Sequence, residues 1–217
     1  MDKFKYLKLE KKYATDVVSI LAAYYKNAKC GLDYTTPFSL TVALILAAQN
    51  TDKSVNIITP IFFEKFKNIS DVANAKLSEI EEIIRPCGFY VTKAKYIKET
   101  AKQLENISFP STMEELLKLH GIGRKSANII LQECFNTVVG IAVDTHVTRL
   151  SYRIGLSEEI LQEKIEKDLM KIYAKNYYPI INHVFVYHGR EICMARNPKC
   201  DICPISHICK KNNVIKK

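Results

Sequence analysis

The sequence predicts an all-α protein, and two observations support this class. Apolar residues recur at helical spacing along most of the chain, whereas no stretch keeps the apolar–polar alternation of a half-buried strand. Small polar residues that favour helix N-termini precede several of these stretches. The segment VVGIAV favours a strand but is too short to change the class.

Composition and charge narrow the class of protein. The chain has 217 residues, of which 47% are hydrophobic and 25% charged, which suits one domain or two small ones rather than disorder. The net charge of +9 favours a polyanionic partner. The N-terminus is charged where a secretory signal would be apolar, and no apolar run is long enough for a membrane span. We therefore expect a cytoplasmic protein without a membrane partner, whose seven cysteines stay reduced.

The first helices are predicted in the N-terminal third of the chain. Residues 12–29 have apolar positions at helical spacing, and residues 38–50 are apolar nearly all round, as in a buried core helix. A third helix is expected over Asp52–Phe66, with Thr51 as its N-cap. Pro60 predicts a bend or break within it.

Polar residues mark the starts of the next helices. Ser70 is expected to cap a short helix before the segment KLSEIEEIIR, which ends at Pro86. Thr92 is expected to start a further helix. Ser111 and Glu114 have capping-box spacing and predict another helix start.

The stretch from Leu117 to Leu150 contains a helix, a glycine turn and a new helix. Gly121 and Gly123 allow positive φ and close approach of the backbone, and Arg124 and Lys125 occupy the first turn of the new helix. Backbone N–H groups at a helix N-terminus suit a phosphate. The stretch predicts a helix-hairpin-helix that holds a nucleic-acid backbone; an ordinary corner between two packed helices is the alternative.

Two helices are expected after this stretch. The first has Ser157 as its cap and a stripe that begins at Ile160 and continues through Ile165, Leu169 and Ile172. The second covers the segment PIINHVFVYHGREICMA.

Lys125 and Asp144 are candidates for catalysis. The helix end and the neighbouring Arg124 both favour a neutral lysine, which is a nucleophile towards a sugar C1′ atom and can form a Schiff base. Asp144 can accept the proton of Lys125 or stabilise positive charge on the sugar. The alternatives are a solvated lysine and an aspartate that only caps the helix beginning THVTRL.

Four cysteines near the C-terminus predict a metal site, and they are Cys193, Cys200, Cys203 and Cys209. Four thiolates can hold a 4Fe–4S cluster or a tetrahedral zinc ion, and the spacing leaves both open. Arg196 and Lys199 lie between these cysteines, where a metal-folded loop would display them to DNA phosphate. A solvated basic tail is the alternative. The other cysteines, which are Cys30, Cys87 and Cys134, are interpreted as small buried side chains.

These motifs together resemble the endonuclease III family of helix-hairpin-helix DNA glycosylases. The resemblance rests on GIGRK ending at Lys125, on VDTH containing Asp144 and on the spacing Cys-x6-Cys-x2-Cys-x5-Cys, and it runs from about Pro37 to Cys209. It implies a six-helix barrel domain of residues 30–138 that contains the hairpin. It also implies a helical domain of residues 1–29 and 139–217 with a 4Fe–4S cluster on the four cysteines.

The resemblance also implies roles for individual residues. Lys125 is the expected nucleophile and Asp144 its acidic partner. Gln49 matches the residue that fills the gap left by a flipped base, and Phe89 matches a wedge position. The complete set of expected DNA contacts is Gln49, Phe89, Leu119, Gly121, Gly123, Arg124, Ser126, His146, Arg196 and Lys199. His120 departs from the usual proline and Ala47 from a common serine.

The implied function is base excision repair. We expect a monomeric, nucleoid-associated DNA glycosylase with abasic-site lyase activity, which acts on duplex DNA containing oxidised pyrimidines such as thymine glycol or abasic sites. The alternatives are a monofunctional adenine or mismatch uracil/thymine glycosylase, and a non-catalytic metal-cluster module that binds DNA.

Overall fold

A computed structural model describes residues Lys3–Val214, with side chains from residue 10 onwards. Within this range the chain is helical and contains no β-strand, which confirms the predicted all-α class. It forms two compact units. The central unit is Cys30–Val139, and the flanking unit consists of the chain up to Lys29 and from Gly140. None of the described helices combines the length and apolarity needed to span a bilayer.

The described residues contain eleven α-helices, which are α1 (Lys3–Tyr24), α2 (Pro37–Ala47), α3 (Asp52–Lys65), α4 (Ile69–Asn74), α5 (Leu77–Ile84), α6 (Tyr90–Leu104), α7 (Met113–Leu116), α8 (Arg124–Phe135), α9 (Thr145–Ile154), α10 (Gln162–Ile172) and α11 (Tyr178–Glu191). Helices α2 to α8 form the central unit, and α1 with α9 to α11 form the flanking unit.

Helix α2 is the core helix of the central unit. Every residue from Phe38 to Leu46 is buried, as its continuous apolar pattern predicts, and it packs against α3, α6 and α8. Thr36 and Ser39 form a capping box at its start. The helix ends at Ala47, so Gln49 lies beyond its end rather than within it.

Helix α3 confirms one prediction and corrects another. The Thr51 hydroxyl accepts a hydrogen bond from the Ser54 N–H at 3.2 Å, as expected of an N-cap. Pro60 neither ends nor breaks the helix, which continues to Lys65. A proline removes one backbone donor, and the buried residues on either side of it, such as Phe62, still hold the helix against the core.

The expected starts of α4 and α6 are wrong. Asn68, not Ser70, caps α4, because its side chain reaches the Asp71 N–H at 2.9 Å. Helix α6 begins at Tyr90, ahead of Thr92, and its N-cap is Phe89.

Two later helix starts also differ from the prediction. The N-cap of α7 is Thr112 rather than Ser111, and its hydroxyl accepts a hydrogen bond from the Glu115 N–H at 3.3 Å. Helix α10 begins at Gln162, so Ser157 is not its cap; the Ser157 hydroxyl donates to Asp168 at 2.9 Å instead. Ile160 therefore lies outside the apolar stripe and is 85% exposed.

In the flanking unit, α11 packs against both α1 and α9, and α1 also packs against α10. Helix α1 starts earlier than the predicted residues 12–29 and ends at Tyr24. The segment that contains the four spaced cysteines follows α11 directly.

Candidate functional site

The glycine turn between α7 and α8 has the geometry of a helix-hairpin-helix. Gly121 has φ of +76°, and a Cβ atom there would lie 2.9 Å from the Tyr96 ring, so both conformation and space require glycine. Gly123 is the N-cap of α8 and carries no side chain. No side chain at this position caps the first turn of α8, and backbone N–H groups at a helix N-terminus suit an anion.

Helix α6 holds the backbone of this turn through two polar side chains. The Thr100 hydroxyl donates to the His120 carbonyl at 2.8 Å. Gln103 accepts from the His120 N–H at 3.2 Å and donates to the Lys118 carbonyl at 2.9 Å. Neither bracing residue was predicted from the sequence, because nothing in their spacing shows that they face the turn.

The predicted hairpin residues differ in exposure. Arg124, Lys125 and Ser126 are half-buried in the first turn of α8. Leu119 is 6% exposed, so its side chain is part of the hairpin core, and only its backbone is left for a contact with a ligand.

Gln49 and Phe89 belong to the same unit as the hairpin, and both are exposed. Gln49 follows the end of α2, and Phe89 precedes the start of α6. Both have φ of 59°. Hydrogen bonds from the side chains of Asn50 and Lys93 connect the backbone next to Gln49 with the backbone next to Phe89.

Asp144 is the N-cap of α9 in the flanking unit, which confirms the predicted capping role. Its Oδ1 atom accepts from the Val147 N–H at 2.8 Å. The structure therefore places the two predicted catalytic residues, Lys125 and Asp144, in different units of the chain.

One face of α9 connects the helix to the cysteine loop. The Arg149 guanidinium contacts the His146 ring at 3.1 Å and donates to the carbonyl oxygens of Gly189 and Cys193. A Cβ atom on Gly189 would meet His146 and Arg149 at less than 3 Å, so glycine is required for this contact. His146 is thus a half-buried packing residue of the loop as well as an expected DNA contact.

Arg153 lies one turn further along α9 and is 9% exposed. Its guanidinium donates to the Cys193 Sγ atom at 3.5 Å and to the carbonyl oxygens of Met194 and Ala195 at 2.7 and 2.9 Å. Neither Arg149 nor Arg153 was predicted from the sequence, because their partners lie about forty residues further along the chain.

The four spaced cysteines line one cavity that is open to solvent, with about 350 Å³ of empty space inside it and at its opening. Among the described residues, no three or more His, Cys, Asp or Glu side chains are placed to hold a metal ion together. In a 4Fe–4S cluster each iron takes one cysteine, so four thiols around a cavity suit this group. Arg153, on the wall of the same cavity, suits the negative charge of four thiolates.

His188 supports the loop from α11. Its Nε2 atom lies 3.5 Å from the Cys203 Sγ atom, and its Nδ1 atom lies 3.2 Å from the Tyr25 hydroxyl. Burial lowers the pKa of His188 to about 4, so the ring is neutral near neutral pH. Burial raises the pKa of Cys203 to about 11, so a metal must displace its proton.

The remaining predicted loop residues, Arg196 and Lys199, are exposed. Of the other three cysteines, Cys87 is buried, whereas Cys30 and Cys134 are only half-buried. Burial still raises the pKa of both of these thiols to about 11, so they are protonated near neutral pH.

Comparison with known proteins agrees with these features. The family described as HhH-GPD superfamily base excision DNA repair protein matches residues 42–175. The iron-sulfur binding domain of endonuclease III matches residues 193–209, which supports the predicted 4Fe–4S cofactor over zinc.

Individual relatives match over most of their length. Endonuclease III of Synechocystis sp. is 41% identical over 203 residues, which cover 92% of this chain and 93% of that protein. Endonuclease III of Bacillus subtilis is 37% identical over 193 residues, with 86% and 87% covered. The solved structure of a trapped endonuclease III–DNA covalent intermediate is 36% identical and has a TM-score of 0.87, with 93% of this chain and 96% of that chain covered. The chain therefore belongs to the HhH-GPD superfamily of base excision DNA repair proteins and, within it, to the endonuclease III family.

Proposed function

We propose that this protein removes oxidised pyrimidines, such as thymine glycol, from duplex DNA and then cleaves the abasic site by β-elimination. The observation that carries the proposal is the position of Lys125 in the first turn of α8, directly after the glycine turn. A solved relative at 36% identity forms a covalent intermediate with DNA, as a lysine nucleophile would. We further propose a monomer that acts in the cytoplasm at the nucleoid.

Lys125 supplies the covalent chemistry of this proposal. Its neutral amine attacks C1′ of the damaged nucleotide, and the glycosidic bond breaks with its electron pair leaving on the base. Nζ then loses one proton to Asp144, and the C1′–O4′ bond opens with O4′ taking up a proton, which leaves a protonated Schiff base between Nζ and C1′. Its positive charge acidifies the C2′ position, and removal of a C2′ proton expels the 3′ phosphate and breaks the strand.

Asp144 is the proposed acidic partner of Lys125. As a carboxylate it accepts the lysine proton or stabilises positive charge on the sugar. Its Oδ1 atom also accepts the hydrogen bond from the Val147 N–H that caps α9. The same carboxylate therefore serves as helix cap and as the proposed catalytic group.

DNA is held by phosphate contacts from both units. In the central unit these come from the backbone at Gly121 and Gly123 and from Arg124 and Ser126 in α8. In the flanking unit they come from His146, Arg196 and Lys199. The exposure of Arg196 and Lys199 supports this role, because an accessible cation can approach a phosphate.

The iron–sulfur cluster is proposed to have a structural role. Cys193, Cys200, Cys203 and Cys209 would hold it, and when bound it supplies four metal–thiolate bonds that fix the loop displaying Arg196 and Lys199. We propose that residues 1–29 and 139–217 form the iron–sulfur domain that contains this loop, and that residues 30–138 form the barrel domain.

Base extrusion is assigned to Gln49 and Phe89. A damaged base stacks and pairs less well than a sound one, so flipping it out of the duplex requires less energy. Gln49 would fill the vacated space, and the exposed Phe89 ring would stack against the neighbouring bases.

Replacement of the nucleophile tests the proposed function. We expect Lys125→Gln to abolish the covalent complex that borohydride traps on duplex DNA with one thymine glycol, because the Schiff base cannot form. Lys118→Gln, an exposed change in the same hairpin, is the control and should still be trapped. Wild-type base release without any trapped complex would indicate a monofunctional glycosylase, and tight binding without base release would indicate a DNA-binding module.

The two roles of Asp144 can be separated by substitution. Asp144→Asn should keep the helix cap and its stability, but lower the single-turnover rate about a hundredfold because the carboxylate is lost. Asp144→Ala should lose the rate and, in addition, about 1 kcal/mol of unfolding free energy. Full activity of Asp144→Asn would show that the residue is only a cap.

The basic loop residues can be tested by the salt dependence of binding. Arg196→Met and Lys199→Met should each reduce the slope of log K against log salt by about 0.9, the value for one lost phosphate contact. Because both side chains are exposed, cluster content should not change. An unchanged slope would exclude these two residues from the DNA contact.

Removal of Arg153 should instead affect the cluster. Arg153→Met leaves one cysteine sulfur and two carbonyl groups without their donor, which should lower the unfolding free energy by about 1 to 3 kcal/mol. We expect faster loss of the visible iron–sulfur absorbance in Arg153→Met than in wild type, with Arg196→Met as the control that retains it. Equal rates for the two variants would contradict this role of Arg153.

A further inference from the structure

The backbone is strained at the two exposed residues that are proposed to open the duplex. Among the described non-glycine residues with positive φ, four are asparagines, which tolerate this conformation, and the others are Gln49, Phe89 and Lys211. Glutamine and phenylalanine do not tolerate the left-handed conformation in this way. A left-handed conformation at such residues persists only where the surrounding structure imposes it, and it is common at functional sites.

Lys93 imposes part of this conformation on the segment before Gln49. Its side chain is 4% exposed, and its ammonium group donates to the carbonyl oxygens of Leu46 and Ala48 at 2.9 and 2.7 Å. These carbonyls belong to the C-terminal end of α2, where a cation is favourable. Lys93 lies in the first turn of α6, which begins directly after Phe89. A single side chain therefore links the two segments.

Asn50 makes a second link between the same segments. Its side-chain amide donates to the Leu46 carbonyl at 2.7 Å, and its Oδ1 atom accepts from the Gly88 N–H at 3.3 Å. Its own N–H donates to the Ala47 carbonyl at 3.1 Å. Asn50 thus fixes the residue after Gln49 and the residue before Phe89 at once.

We propose that Asn50 and Lys93 are positioning residues that clamp Gln49 and Phe89 as one rigid pair for insertion into the duplex. The proposal rests on the proposed function, because it needs a base to be flipped. Neither clamp residue needs to touch DNA: Lys93 is buried, and both polar ends of the Asn50 side chain are engaged by backbone groups.

Rigid positioning has a specific energetic consequence. Two side chains that are already held in the inserting geometry lose little conformational freedom when they enter the base stack. Without the clamp, the backbone at Gln49 and Phe89 relaxes from its left-handed conformation, and the strain must be restored during insertion. The penalty falls on base extrusion, so it should depend on how firmly the damaged base is paired.

The experiment compares single-turnover base release on two duplexes. One contains thymine glycol opposite adenine, and the other contains thymine glycol opposite a tetrahydrofuran residue, where no base pair must be broken. The variants are Asn50→Ala and, because Lys93 is buried, Lys93→Met with its unfolding midpoint measured in parallel. Asn74→Ala is the matched control, because Asn74 also donates from its side chain to the carbonyl four residues earlier, at 2.9 Å, and is exposed on α4.

We expect Asn50→Ala to release the paired lesion about fivefold to tenfold more slowly than wild type, which is the effect of one lost hydrogen bond. On the unpaired lesion, the rate of Asn50→Ala should be close to that of wild type. Asn74→Ala should match wild type on both duplexes. Equal losses of Asn50→Ala on both duplexes, or no loss on either, would overturn the clamp. Failure of wild type to release the lesion from either duplex would instead overturn the proposed function, and the clamp with it.

Discussion

The hydrogen bonds that Arg149 and Arg153 donate to the cysteine loop are the interaction on which the flanking unit depends. A loop with irregular backbone leaves carbonyl groups that need donors when they are buried. The two guanidinium groups provide these donors from adjacent turns of α9, and one of them reaches a cysteine sulfur. Because Asp144 is the N-cap of α9, the same helix that supports the metal loop also fixes the proposed catalytic carboxylate.

In the central unit, neutral side chains of α6 form the hydrogen bonds with the backbone of the glycine turn. At the position where the family resemblance predicts a proline, His120 brings a backbone N–H that a proline would not have, and Gln103 accepts its hydrogen bond. Gln103 also donates to Lys118, so one amide side chain ties both ends of the turn that leads to Gly121. The rigidity that a proline ring would give is supplied here by α6.

Local signals in the sequence were sufficient for the class of fold and for part of the site. The caps at Thr51 and Asp144 are set by neighbours within three residues, so they were predictable. The expected starts at Ser70 and Thr92 were wrong because each helix begins two residues earlier, with Asn68 as the cap of α4 and Tyr90 as the first residue of α6. The break predicted at Pro60 was wrong for another reason, because burial of the surrounding helix outweighs the loss of one backbone hydrogen-bond donor.

The supporting residues were not predictable, because their partners are distant in the sequence. Lys93 binds carbonyl groups of α2, and Arg153 binds a loop some forty residues further on. An isolated lysine or arginine in a helix gives no sign of such a partner. The residues expected to meet DNA directly, such as Lys125 and Gln49, are carried by recognisable motifs, whereas the residues that hold them are specified by packing. A change in Asn50 or Lys93 would leave the GIGRK, VDTH and cysteine motifs intact and still alter the geometry of Gln49, which lies between the carbonyl that Lys93 holds and Asn50 itself.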